Sequence, residues 1–212
     1  MREWNNKMAK YGISSYGSST GSTASEIKNL ALFELGFVDE IDFTDLTNET
    51  VKKVNRIYET SLLFVLSNYP WRFILKREEL TTRTTATDAN KYRYNFTTPT
   101  SMITVRTLYS DSNYSNPIRE YETYPKYINT DSSQVFIWYS GVVDEEEFPV
   151  YFVDYFKYKL AVDLCFNLTG DNQLLGNLVK MEQAMLITAK NIDAKQNKTR
   201  IVRASPFTQI RG

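Results

Sequence analysis

The sequence predicts an α+β protein: an antiparallel helical bundle of about four helices, with an antiparallel β-rich region inserted between its halves and an extended arm at each end. Three observations predict it. Apolar residues recur at three- and four-residue steps over 23–70 and again over 148–196, the period of helices with a covered face. Over 71–140 the period drops to two, and runs of Val, Ile, Tyr, Phe and Trp are separated by Asn, Asp and Pro turns. The outermost stretches, 1–22 and 197–212, carry neither period.

The helix predicted up to Leu168 is the most informative element. On a helical wheel Tyr151, Tyr155, Tyr158, Val162 and Phe166 share one face, while Val153, Leu160, Ala161, Leu164 and Leu168 spread over the other. Asp154 lies in one seam between the faces; Lys159, Asp163 and Asn167 lie in the other. Two apolar faces require cover from two sides. Either this is the central helix of a monomeric bundle, or one face meets the chain's own core and the other a second subunit. The aromatic set, Tyr151 to Phe166, is the candidate subunit interface.

The remaining elements follow in order. Residues 1–22 combine Gly12, Gly17 and Gly21 with a Ser/Thr-rich run, the composition of a flexible arm, and open with Trp4, Met8 and Tyr11, which suit docking on a neighbour. Ser22 or Thr23 can cap a first helix, with Glu26 placed as the far half of a capping box for Thr23, ahead of Ile27, Leu30, Ala31 and Leu35, and Gly36 is the stop. Asp39, Glu40, Asp42 and Asp45 lack the glycine and the distal glutamate of a calcium loop and read as solvated charge. Thr47 is placed to cap a helix from Asn48 to Asn68, carried by Val51, Val54, Tyr58, Ser61 and Val65 and ended by Pro70. Trp71, Phe73 and Leu75 alternate with Arg72, Ile74 and Lys76 as a first strand, and four to six strands are expected in all, with Thr81–Thr87 as a polar loop. Gly141 and the acidic run Asp144–Glu147 form the hinge back to helix, and Pro149 fits the first turn. Gly170 and Asp171 end one helix and cap the next, whose seam of Leu174, Leu178, Met181, Met185 and Ile192 packs antiparallel on its predecessor.

Composition removes most chemistry. There is no histidine among the 212 residues, which excludes triads built on imidazole and His-ligated zinc. The single cysteine, Cys165, cannot form an intrachain disulfide or a thiolate cluster and reads as a small buried hydrophobe. No glycine pattern cradles phosphate. No catalytic residue, metal or cofactor is therefore predicted. Carboxylates remain, Glu78 with Glu79 or the Asp144–Glu147 run, so a glycan hydrolase is a rival class, although no pair stands out at the required separation. Lys+Arg and Asp+Glu are each 25, so a generic nucleic-acid binder is disfavoured. Fifteen Tyr and twelve Phe favour a protein that binds proteins. Without an apolar leader or a membrane-length apolar run, the chain is expected to be soluble.

The tail carries Lys195, Lys198, Arg200, Arg203 and Arg211 with no acidic residue. One reading is contact with DNA phosphates, making the chain a DNA-binding accessory module. The interleaved Ile201, Val202, Phe207 and Ile210 favour an arm lying on a partner protein, with Arg200, Arg203 and Arg211 pairing its acidic groups.

The order of these parts resembles a family: the head-to-tail connector (tail tubular protein A-like) ring proteins of short-tailed bacteriophages, including crAss-like phages. The resemblance lies in the helix Val51–Asn68 running into Asn68-Tyr69-Pro70-Trp71-Arg72-Phe73, the β-rich middle, Pro149-Val150-Tyr151-Phe152 opening a helical hairpin, and the basic tail. The arm 1–22 has no counterpart in it. It implies a structural virion protein that is not an enzyme, assembled in the host cytoplasm and placed at the portal–tail junction. Its partners would be its own copies in a dodecameric ring, the portal protein, a downstream tail or ring protein, and genomic DNA passing through the lumen without sequence reading. No membrane partner is implied.

Overall fold

The structure, a computed structural model, describes residues 22–85 and 91–196. Helix α1 (Ala24–Glu34) begins with the predicted capping box: Thr23 Oγ1 accepts the Glu26 N–H, and the Glu26 carboxylate accepts the Thr23 N–H. It ends on Gly36 at φ +90°, where the Gly36 and Phe37 N–H groups donate to the carbonyls of Phe33 and Leu32. Helix α2 (Glu49–Asn68) is capped by Asn48, whose side chain accepts the Thr50 N–H, rather than by Thr47. Thr47 is committed elsewhere, donating its N–H and its hydroxyl to Asp45. The buried residues of α2 include Val51, Val54, Tyr58, Ser61 and Val65, the set selected by the three-and-four spacing.

The strand expected from Trp71 does not start there. Arg72–Ile74 is a 3-10 turn, and β1 (Leu75–Glu79) follows it. The cause is tertiary. Trp71 folds back into the helical core, its indole N–H donating to the Val65 carbonyl at 3.0 Å and its ring meeting those of Tyr69, Phe152 and Tyr155 at centroid distances of 4.7, 5.2 and 5.9 Å. Burying this indole takes the place of four residues of ladder, Trp71 to Ile74, and deleting a core Trp costs about 3–5 kcal/mol.

Among the described residues the insert contains eight strands, more than the four to six expected. After β1 come β2 (Arg83–Thr85), β3 (Tyr94–Thr97), β4 (Met102–Tyr109), β5 (Pro117–Ile118), β6 (Glu122–Thr123), β7 (Tyr127–Thr130) and β8 (Phe136–Gly141). The surplus lies in β5 and β6, too short to show alternation, and in β2, which takes up part of the stretch read as a polar loop. The strands form two antiparallel sheets, ordered β1-β8-β4-β5 and β2-β3-β7-β6. Cross-strand pairs point one face of each sheet inward, Phe96 opposite Ile128 and Leu108 opposite Ile137, and these meet in one core with Leu80, Val135 and Tyr139. Gly141 ends β8 instead of acting as a hinge: a Cβ there would meet the Tyr139 ring, Lys76 and the Ser101 carbonyl at 3.0–3.3 Å.

A 3-10 turn at Glu145–Glu147 leads into α3 (Val150–Leu168), with Pro149 at the N-cap position. Gly170, at φ +66°, reverses the chain, and the Asp171 carboxylate caps α4 (Asn172–Lys195) by accepting from Gln173 and Leu174. Helix α3 is the axis of the bundle, with α1, α2 and α4 each packed against it. Its Phe152, Val153, Phe156, Leu160, Ala161 and Leu164 are all buried. The predicted α4 seam needs one correction: Met181 is exposed, and the fully buried positions are Leu178, Ala189 and Asp193.

Candidate functional site

Helices α2 and α4 approach α3 from neighbouring sides and leave an open groove of about 310 Å³ between them. Tyr155 and Lys159 form its floor, Phe64 and Asn68 line the α2 wall, Glu182, Leu186 and Lys190 line the α4 wall, and Tyr69 and Trp71 close one end. The side chains are held in place from below. Ser61 of α2 donates to Asp163 of α3 at 2.5 Å, and Lys159 pairs with the same carboxylate. Lys159 also lies over the Phe64 ring and Lys190 over the Tyr69 ring, at 5.4 and 5.2 Å.

The predicted aromatic face divides along this groove. Tyr151 and Tyr155, expected at the subunit interface, are instead largely buried in the chain's own core, Tyr155 at the floor of the groove. Tyr151 packs on Trp71 and donates its hydroxyl to Asp193 at 2.7 Å. Burial holds both phenols well above the ordinary tyrosine range, with the carboxylates of Asp193 and Glu182 adding to it at Tyr151 and Tyr155 respectively. Tyr158 and Val162 are half-buried. Phe166, on the same face about three helical turns beyond Tyr155, is 68% exposed. Leu63 and Phe64 on α2, and Met181 and Ile187 on α4, are also exposed.

Asp193 is the structural residue that sequence reasoning missed. Fully buried, it accepts the Arg72 N–H at 3.0 Å and the Tyr151 hydroxyl at 2.7 Å, tying the end of α4 to both α3 and the 3-10 turn. Burial pushes its carboxyl above the usual range, and these hydrogen bonds oppose that in part. The available signal was its spacing: it stands four residues after Ala189 on the same helix face.

The carboxylates named for hydrolysis are not arranged as a pair. Glu78 and Glu79 are successive residues of β1 and point to opposite faces, and Glu145 accepts from the Tyr58 hydroxyl at 3.3 Å. Asp42 and Asp45 accept from Thr44 and Thr47, which holds both carboxyls below their ordinary range. Among the described residues, no group of three or more Cys, Asp and Glu converges as a metal site, and no helix is long and apolar enough to cross a membrane. Cys165 is buried beside Thr169. The tail candidates Arg200, Ile201, Val202, Arg203, Phe207, Ile210 and Arg211, like the arm before Ser22, lie outside the described residues. No protein-family model matches the chain, and no curated protein is significantly similar to it.

Proposed function

We propose that this chain is a structural subunit of a phage head-to-tail connector: copies assemble into a dodecameric ring beneath the portal, continue the DNA channel, and engage the portal through the basic, apolar C-terminal segment. The observation that carries the reading is the set of large apolar side chains left exposed on the helices of the bundle. Phe64, Phe166 and Ile187 stay exposed on helices whose inner faces are already filled, which is the signature of a subunit with a protein neighbour. The histidine-free sequence and the resemblance in element order point the same way. Equal numbers of acidic and basic residues suit a channel through which DNA slides without sticking.

Electron microscopy of the purified protein, alone and mixed with the portal protein of the same phage, tests this. A ring with a central channel is expected; a chain that stays monomeric in both samples and is missing from particles refutes it. Truncation after Asn197 is expected to abolish co-assembly with the portal while leaving the helical circular dichroism unchanged. Undiminished co-assembly would remove the tail from that role.

A further inference from the structure

We propose that the outer face of the sheet ordered β1-β8-β4-β5 receives the exposed loop Val38-Asp39-Glu40 of a neighbouring copy, with Arg77 anchoring the loop's carboxylates. This rests on the ring reading above and names one contact between its copies. Ile137 and Tyr139 belong to the core between the sheets, so alternation along β8 turns Phe136 and Trp138 outward, opposite Tyr109 and Arg77 respectively. The Arg77 guanidinium lies over the Trp138 ring at 4.6 Å and over the Tyr114 ring at 5.0 Å. Tyr114 in turn meets Tyr109 and Phe136 edge-on, at 5.3 and 6.2 Å. These rings are half-buried, whereas Arg77 is exposed.

The loop after β4 is built to hold Tyr114 there. Tyr114 has a φ of +55°, a left-handed conformation that a bulky side chain rarely adopts. The Asp111 carboxylate accepts the N–H groups of Ser115 and Asn116, and the Asp111 carbonyl accepts that of Tyr114, which together fix the strained turn. Strain maintained by its surroundings concentrates where a side chain is being presented. On the same face of β8, Ser140 accepts from Arg106 Nε at 2.9 Å, while the Arg106 Nη2 is buried without an acceptor. Among the described residues no carboxylate lies within ion-pair distance of Arg77 or Arg106. Glu79, opposite Phe136, is the one acidic residue that the strands place on this face. Two guanidiniums against one carboxylate, set among Trp and Tyr, make a protein-binding anchor that calls for an acidic, apolar partner.

The chain itself carries that chemistry in one free segment. Four of its exposed large apolar residues stand directly beside an acid: Phe33, Val38, Leu46 and Met181. Three of those acids are engaged, Glu34 with Lys157, Asp45 with Thr47, and Glu182 with the Tyr155 hydroxyl. Val38, 86% exposed, is followed by Asp39 and Glu40, both exposed and without a hydrogen bond or ion pair among the described residues. Single-stranded nucleic acid fits this face less well. Arg77 already covers the Trp138 and Tyr114 rings on which bases would stack, and one exposed cation is no track for a row of phosphates.

The test is a charge swap in the full chain, Arg77→Glu in one variant and Asp39→Lys with Glu40→Lys in the other, each checked by circular dichroism. In mass photometry the wild type is expected to self-associate and to dissociate as salt is raised. Each variant alone is expected to associate about tenfold more weakly or worse. Their equimolar mixture, and a chain carrying all three substitutions, are expected to regain association, which a merely structural role of Arg77 would not produce. Association that either variant leaves unchanged, a loss that the swap does not restore, or retention on a single-stranded oligonucleotide that depends on Arg77 would overturn the contact and leave the ring reading standing. Reciprocal pairing of two copies satisfies the contact as well as a repeated rotation does. Assembly that responds to the swap but stops at a dimer therefore upholds the contact and overturns the ring. A wild type that is monomeric at every concentration, alone and with portal, overturns both.

Discussion

Replacing Asp193 tests how the bundle is closed. The residue is fully buried and serves two donors from different elements, the Arg72 N–H and the Tyr151 hydroxyl. Asp193→Ala leaves both without an acceptor in a site that water does not reach. A buried donor left unsatisfied costs about 1–3 kcal/mol, so the variant is expected to lose about 3 kcal/mol. For a chain of this size each kcal/mol moves Tm by about 2–4 °C, which makes the fall about 6–12 °C in a thermal scan. Asp193→Asn keeps one acceptor oxygen and should lose about 1 kcal/mol. The pH dependence separates the two effects. Because burial raises the folded-state carboxyl, the folded protein holds this proton more tightly than the unfolded chain. Stability from this group is therefore present below the ordinary carboxylate range and is lost as pH rises through the raised folded value. Urea titrations across that window should show the decline in the wild type and its loss in Asp193→Asn. A cost under about 1 kcal/mol for the Ala variant, or an unchanged pH slope in the Asn variant, would refute the account.

Two further outcomes test the division of the aromatic face and the helix stops. Tyr155→Asp places a charge in the core and is expected to unfold the chain, whereas Phe166→Asp, on the same face but exposed, should leave circular dichroism intact and reduce self-assembly in light scattering; equal effects would mean the face does not divide. Gly170→Ala forces a side chain into a φ of +66° in open space, so the cost is conformational alone, about 1–2 kcal/mol by denaturant unfolding.

Much of the fold was legible because its signals are local. The Thr23–Glu26 box, the stop at Gly36 and the Gly170–Asp171 reversal depend on residues within about one turn of each other, the buried row of α2 repeats at steps of three and four, and each is found where the spacing put it. The errors share a different cause. Trp71 left its strand because the Val65 carbonyl and the rings of α3 were within reach, and Thr47 yielded its cap to Asn48 because Asp45 had already engaged it. β5 and β6 exist only as partners of β4 and β7, with no alternation of their own to read.

The candidate site shows the same boundary. The sequence by itself determined that α3 has two apolar faces, that no histidine chemistry exists, and that acid gathers before α2 while base gathers after α4, since these are properties of residue type and of helical period. Only the tertiary structure decided which part of the aromatic face is spare. Trp71, α2 and α4 cover Tyr151 and Tyr155, whereas Phe166, about three turns further along the same face, stays exposed. A periodicity states that a face must be covered. Whether the cover comes from the same chain depends on where distant helices lie, and no local pattern encodes that.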